Sequence, residues 1–489
     1  MTSWESPAPG AFSRTLRFGE WISEPVTPLF ESWLVTRMED RLHERLRAWV
    51  GQVAPRPHHV VVNGWYYYSL NWASPRTMLG NLPGLLAHLV REPRRVAAII
   101  PPTVRFSIPL FEREWREEVL PGYRAAVQGA ERRVDTMPVG ELPVLIDELA
   151  DQAGEYFASI AAFAGAAYKL EMNLARFYRR HLRAQIGGTH LTLLAGFGSP
   201  QELPHHAVAT LDWCVPPPAS VSRDAGAERG SAARTAATHE RLSAAREQAE
   251  TAAFAALAGN ERRLRSFRGL LAETQRLVPI REAHVRELTL AWPALRRAVL
   301  RIGDALAARD IIGTADDVFF LTRSEALAGL ESAAPEPIDT AARRALRAEQ
   351  TRLDPPLVVG HLNPALRRLV ASFATMVGAV RSDRAIVSGT PAAAGRATGV
   401  VRIVRGPETF GELDDGEILV APVTAPAWTP LFLKASAVVT DVGSAAAHAS
   451  VIAREYGIPA VVGCGDATVR LHTGMRVTVD GSTGNVEPA

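Results

Sequence analysis

Lysine is almost missing from this chain of 489 residues, with Lys169 and Lys434 the only two. Arginine supplies the rest of the 54 basic residues, which stand against 52 acidic ones for a formal net charge of +2. So even a balance removes the general electrostatic case for nucleic-acid binding, which needs a basic surface. Cysteine is scarce too. Cys214 and Cys464 cannot build a disulfide framework or a thiolate zinc site, and a reducing compartment fits them. No uncharged apolar run reaches the roughly 18 residues of a membrane span. The first residues, Met1 to Arg14, lack the basic-then-apolar layout of a signal peptide. What remains is an ordinary globular composition, 47% hydrophobic and 22% charged, expected of a cytoplasmic protein with sizeable cores.

From about Glu20 to Val380 the pattern is helical. Leu34, Met38, Leu42, Leu46 and Trp49/Val50 recur at three- and four-residue steps within Ser32–Val50, an amphipathic stripe. Val144–Arg183 repeats the pattern and ends at Gly187-Gly188; Thr235–Arg276 and Pro279–Arg309 continue it. The small, polar stretch Ser220–Ala233 is expected to be a mobile loop. Near Ser382 the character changes to short Val- and Ile-rich runs separated by Gly, Pro, Asp and Thr. The fold expected is therefore multidomain: a large, mainly α-helical domain over 1–380, a linker at 381–387, and a compact α/β domain over 388–489.

The chemistry concentrates in Thr440–Gly463, TDVGSAAAHASVIAREYGIPAVVG. A strand, Ala437–Thr440, runs into a turn of small residues. His448 then sits at the start of a helix, Ala447–Tyr456, that Gly457 and Pro459 stop. Backbone amides at a helix start, with the positive end of the dipole, hold phosphoryl groups. A neutral imidazole nitrogen attacks phosphorus and forms a phosphoramidate of high transfer potential, and the dipole also disfavours imidazolium. The plainer alternative is a histidine that merely caps its helix.

These residues resemble the signature of the phosphohistidine swivelling domain of phosphoenolpyruvate-utilising enzymes, the group of phosphoenolpyruvate synthase, pyruvate phosphate dikinase and rifampin phosphotransferase. Thr440, Asp441, Gly443, Ser444, His448, Ala449, Ser450, Ala453-Arg454-Glu455, Gly457, Pro459 and Gly463 carry the match. Gly389–Val404 and Ala421–Phe432 are similar to segments upstream of that signature. The resemblance implies that His448 is the phosphorylated residue, cradled by Thr440, Asp441, Gly443, Ser444, Ala447 and Ser450. One departure stands out: the family usually has Thr, Ser or Cys where this chain has Ala447, so a hydroxyl that would orient ring or phosphate is replaced, with Ser444 and Ser450 as candidate substitutes.

Shorter echoes of the family's acceptor domain occur at Val26-Thr27-Pro28-Leu29, Arg281-Glu282 and Asp316–Thr322. No Gly-rich loop with a phosphate-binding lysine precedes them, so the resemblance implies a split enzyme similar to phenylphosphate synthase. In such an enzyme ATP and Mg2+ sit on a separate ATP-grasp subunit, and a small organic acceptor, aromatic or hydroxylated in class, is phosphorylated here. Candidate acceptor-binding residues are Trp65, Tyr66, Tyr67, Tyr68, Trp72 and Glu282, with packing as the alternative for the aromatics. The pairs His58-His59 and His205-His206 are candidate bases. Two readings from other classes stay open: a regulatory relic, and a carrier that phosphorylates no small molecule.

Overall fold

The computed structural model describes residues 3–14, 21–22, 24–51, 54, 56, 58–69, 82–96, 104–197, 206–216, 225–333, 336–361, 382–444 and 447–489. Its principal helices are α1 (Thr36–Val50), α2 (Leu142–His181), α3 (Ala225–Leu257), α4 (Glu261–Glu287), α5 (Trp292–Ala307), α6 (Thr429–Lys434), α7 (His448–Tyr456) and α8 (Ala467–Arg470). The stripe read from Ser32–Val50 is buried: Leu34 just before α1, and Met38, Leu42 and Leu46 within it, are all inside.

Two helical expectations need correction. The stretch expected to be a mobile loop at 220–233 is helical from Ala225 onward, because its alanines favour helix more than its two glycines oppose it. Pro279 does not begin a new helix but lies inside α4. Residue 381 of the linker expected at 381–387 lies outside the described residues, as do 362–380, Trp72 and His205.

The chain forms two compact units. One consists of Met1–Phe163, His206–Pro216 and Val285–His361. It holds a four-stranded sheet the helical reading did not anticipate, built from β1 (Ala11–Ser13), β2 (His59–Val62), β3 (Trp65–Ser69) and β4 (Val358–Gly360), ordered β2-β3-β1-β4 with antiparallel neighbours. The aromatic run is β3 itself. Trp65 and Tyr67 fall on one face, with Phe12, Val60, Val62 and Val359, as the two-residue period of a strand requires.

The other unit consists of Ala164–His205, Pro217–His284 and Leu362–Ala489. Its eight-stranded sheet contains β5 (Val387–Ser388), β6 (Thr390–Ala393), β7 (Arg396–Ile403), β8 (Ile418–Ala421), β9 (Ala437–Thr440), β10 (Ala460–Val462), β11 (Arg476–Asp480) and β12 (Asn485–Pro488). The order is β5-β12-β11-β7-β8-β9-β10-β6. Strands β7 to β10 run parallel, and antiparallel strands flank them on both sides. Every residue of β8, β9 and β10 is buried, the usual state of parallel strands covered on both faces, and their uninterrupted Val, Ile and Ala runs follow from it. Ala421 pairs with Thr440 at the carboxyl ends of β8 and β9. The loops leaving those two ends carry the site, at the sheet edge where ligands of open α/β folds bind.

Candidate active site

The turn after β9 is fixed by the backbone before any side chain contributes. Asp441 N donates to Ala421 O at 3.1 Å and Val442 N to Pro422 O at 2.8 Å, so the β9 loop is laced to the β8 loop. Gly443 has φ +148°, and a Cβ there would stand 3.2 Å from Val462 Cβ and 3.3 Å from Thr440 Oγ1. Only glycine takes this conformation in so tight a space. Ala447 N then donates to Ser444 O at 2.9 Å. Ala447 adopts extended backbone as the N-cap, and α7 begins at His448 and ends at Gly457, whose φ of +63° is the left-handed stop expected from the sequence. First-turn amides of a helix have no acceptor within it, so the start of α7 is suited to an anion.

His448 is only 9% exposed. Thr429 Oγ1, at the start of α6, lies 3.4 Å from its Nε2, and Phe432 meets the ring edge-on at 6.3 Å between centroids. Nδ1 is buried and has no hydrogen-bond partner. Burial, and after it the positive charge of Arg281 on α4, push the imidazole down to about 4. The ring is therefore neutral at physiological pH and keeps a lone pair for nucleophilic attack.

The residues expected around His448 take different parts. Thr440 is fully buried, its Oγ1 without a hydrogen-bond partner. The Asp441 carboxylate turns toward α8, accepting from Thr468 N at 3.0 Å and from the Thr468 hydroxyl, so it braces the loop. Ser450 Oγ donates to Ser444 O at 2.6 Å, which ties the first turn of α7 to the loop. The hydroxyl that Ala447 lacks is thus met at the ring by Thr429, a residue the sequence reading placed only within a family-like segment.

A buried ion cluster adjoins the site in the same unit. Arg454, six residues beyond His448 on α7, donates from Nη2 to Glu171 Oε1 at 3.0 Å and from Nε to Ala392 O at 2.7 Å. Arg281 Nη1 lies 3.9 Å from Glu171 Oε2, and His190 Nε2 lies 3.9 Å from Glu171 Oε1. Burial would raise the Glu171 carboxyl, but Arg454, His190 and Arg281 together pull it down to about 2. Glu282, whose side chain keeps 30% of its surface, is 3.8 Å from Arg281 Nε; burial pushes its carboxyl up against the pull of Arg281 and Arg454. The sequence reading missed Glu171, although a lone acid within the apolar run 158–174 is a signal of a buried partner.

The other candidates lie in the unit formed around β1 to β4. Trp65, Tyr66, Tyr67 and Tyr68 are all buried in β3. Trp65 Nε1 donates to Gln350 O at 3.1 Å, Tyr67 OH to Pro356 O at 3.0 Å, and Arg14 stacks over Trp65 at 4.4 Å. These are packing contacts. His59 Nδ1 is 3.0 Å from Glu39 and its Nε2 3.4 Å from Glu31, and its ring stacks on Tyr66. Burial lowers its proton affinity, but the two glutamates outweigh that and raise it to about 9. An imidazolium has no lone pair, so His59 is not a base at neutral pH. His206 Nε2 is 2.9 Å from Arg286 O, a backbone partner.

The fold and site together describe a parallel-centred α/β domain that presents a neutral histidine at a helix start. The family described as PEP-utilising enzyme, mobile domain, matches residues 413–484, so this segment is similar to the mobile domain of the PEP-utilising enzymes. It is 49% identical over 109 residues to a phosphoenolpyruvate synthase of Aeropyrum pernix, a match covering 22% of this chain and 13% of the relative. To an uncharacterized phosphotransferase, YvkC, of Bacillus subtilis it is 38% identical over 196 residues, 38% of this chain and 23% of the relative. To a rifampicin phosphotransferase of Streptomyces sviceus it is 30% identical over 246 residues, 50% of this chain and 27% of the relative. The chain therefore matches about a quarter or less of the length of these relatives. Among the described residues no helix is long and apolar enough to cross a membrane.

Proposed function

We propose that the chain is a phosphotransferase subunit in which His448 carries a phosphoryl group to an organic acceptor. The observation that carries this reading is a buried, neutral imidazole at the N-terminus of α7, inside the segment that matches the mobile domain. In this reading a lone pair of the ring attacks the β-phosphorus of ATP, AMP leaves, and the γ-phosphate passes to water as inorganic phosphate. ATP is held on a separate ATP-grasp subunit, where Mg2+ supplies charge neutralisation at the phosphates. Residues 388–489 then move as the phosphohistidine domain about the linker, and the helical residues 1–380 hold the acceptor.

Within this chain the α7 start and the loop Thr440–Ser450 hold the phosphoryl oxygens, and Arg281 offers a guanidinium to a group that gains about two negative charges. Transfer returns His448 to the neutral ring when an acceptor hydroxyl takes the phosphoryl group and gives up its proton. Relatives named as a phosphoenolpyruvate synthase and a rifampicin phosphotransferase support the reaction class. The test is isolation of the phosphorylated chain after incubation with labelled ATP and extract of the source cells. Acid-labile, base-stable label at His448 is the expected result; a chain that stays unlabelled favours the regulatory relic.

A further inference from the structure

We propose that Glu171 is a positioning residue for transfer from His448: its one carboxylate lies between Arg454, on the histidine's own helix, and Arg281 on α4. This rests on the phosphotransferase reading above.

The geometry is specific. Arg454 is anchored twice, to Ala392 O beside the sheet and to Glu171 Oε1, so its guanidinium fixes how α7 lies against α2. The second oxygen of the same carboxylate is the one near Arg281. Arg281 also adds, after burial, to the weakened hold of His448 on a proton. A chain of contacts therefore runs from the backbone of β6, through Arg454 and Glu171, to Arg281 on α4. Arg454, Glu171 and Arg281 are 3%, 5% and 5% exposed. Buried cations keep a fixed place only where an anion balances them, and removal of that anion drives them toward solvent or apart. With Glu171 neutral, Glu282 is left as the acid beside Arg281. The separation of α7 from α4 then loosens.

Charging of the histidine occurs on the partner in the proposed cycle, and discharge occurs against α4. Glu171 therefore belongs to the second half of the cycle alone, which separates it from a residue that only supports the fold. In Glu171→Gln the phosphohistidine should form within about twofold of the wild-type rate from β-labelled ATP and source-cell extract. Its discharge into a heat-cleared small-molecule extract of the same cells should slow at least tenfold. Glu171→Asp, which keeps the charge on a shorter arm, should recover part of the discharge rate, and serves as the readout if the glutamine variant does not fold. Label that forms and discharges at wild-type rates in both variants overturns the role of Glu171 and leaves the phosphotransferase reading standing. A wild type that never takes label overturns both.

Discussion

Thr429 Oγ1 lies 3.4 Å from His448 Nε2 and 2.7 Å from Pro426 O. A hydroxyl has one proton to donate, so Thr429 gives it to the carbonyl while Nε2 carries a hydrogen, and can turn it to Nε2 when that nitrogen is bare. The contact orients the ring where Ala447 offers nothing. Thr429→Val should slow phosphohistidine formation about tenfold, while Thr429→Ser stays within about twofold; single-turnover labelling distinguishes them. Equal rates in all three chains would remove the orienting role.

The His448 ring sits at about 4 in the folded chain against an ordinary 6.5. A lowered histidine binds its proton better when unfolded or exposed. Stability of this arrangement is therefore full above 6.5 and falls as pH drops from 6.5 toward 4. Arg281→Gln, by removing one of the two causes, should raise the midpoint without bringing it to 6.5, since burial is the larger cause. Chemical-shift titration of the ring is the measurement.

Gly443 holds φ +148° with almost no room for a Cβ. Gly443→Ala should cost about 1–3 kcal/mol of stability from backbone strain alone. Denaturant unfolding, with Gly411→Ala as the control at a position with open space, checks it.

His59 gives the opposite pH sign. Its folded value of about 9 exceeds the ordinary 6.5, so its pairing with Glu31 and Glu39 contributes fully below 6.5 and is lost as pH rises through 9. Thermal melting at pH 6 and pH 9.5 should show a drop for the wild type that His59→Gln lacks.

The site was legible where its meaning is local. Strand β9, the turn of small residues, His448 at the start of a helix and the stop at Gly457 all lie within Ala437–Gly463, and each depends on neighbours a few residues away. The Arg454–Glu171 bond joins residues 283 positions apart, and no periodicity announces such a pairing. The same limit hid the small sheet. Trp65–Ser69 becomes β3 because β1 and β4, drawn from 11–13 and 358–360, complete it, and a run of adjacent aromatics does not by itself name strand partners. The stretch 225–233 shows a further cause: glycines and serines read as loop, while the long alanine-rich segment after them carried the helix back through those positions.

The most direct measurement is the fate of the β-phosphate. ATP labelled at that position is incubated with this chain and extract of the source cells, alongside His448→Ala and a dikinase known to take label. The account predicts acid-labile, base-stable label on the wild-type chain and none on His448→Ala. Label that persists in His448→Ala, or a wild-type chain left bare while the control dikinase is labelled in the same extract, would contradict it.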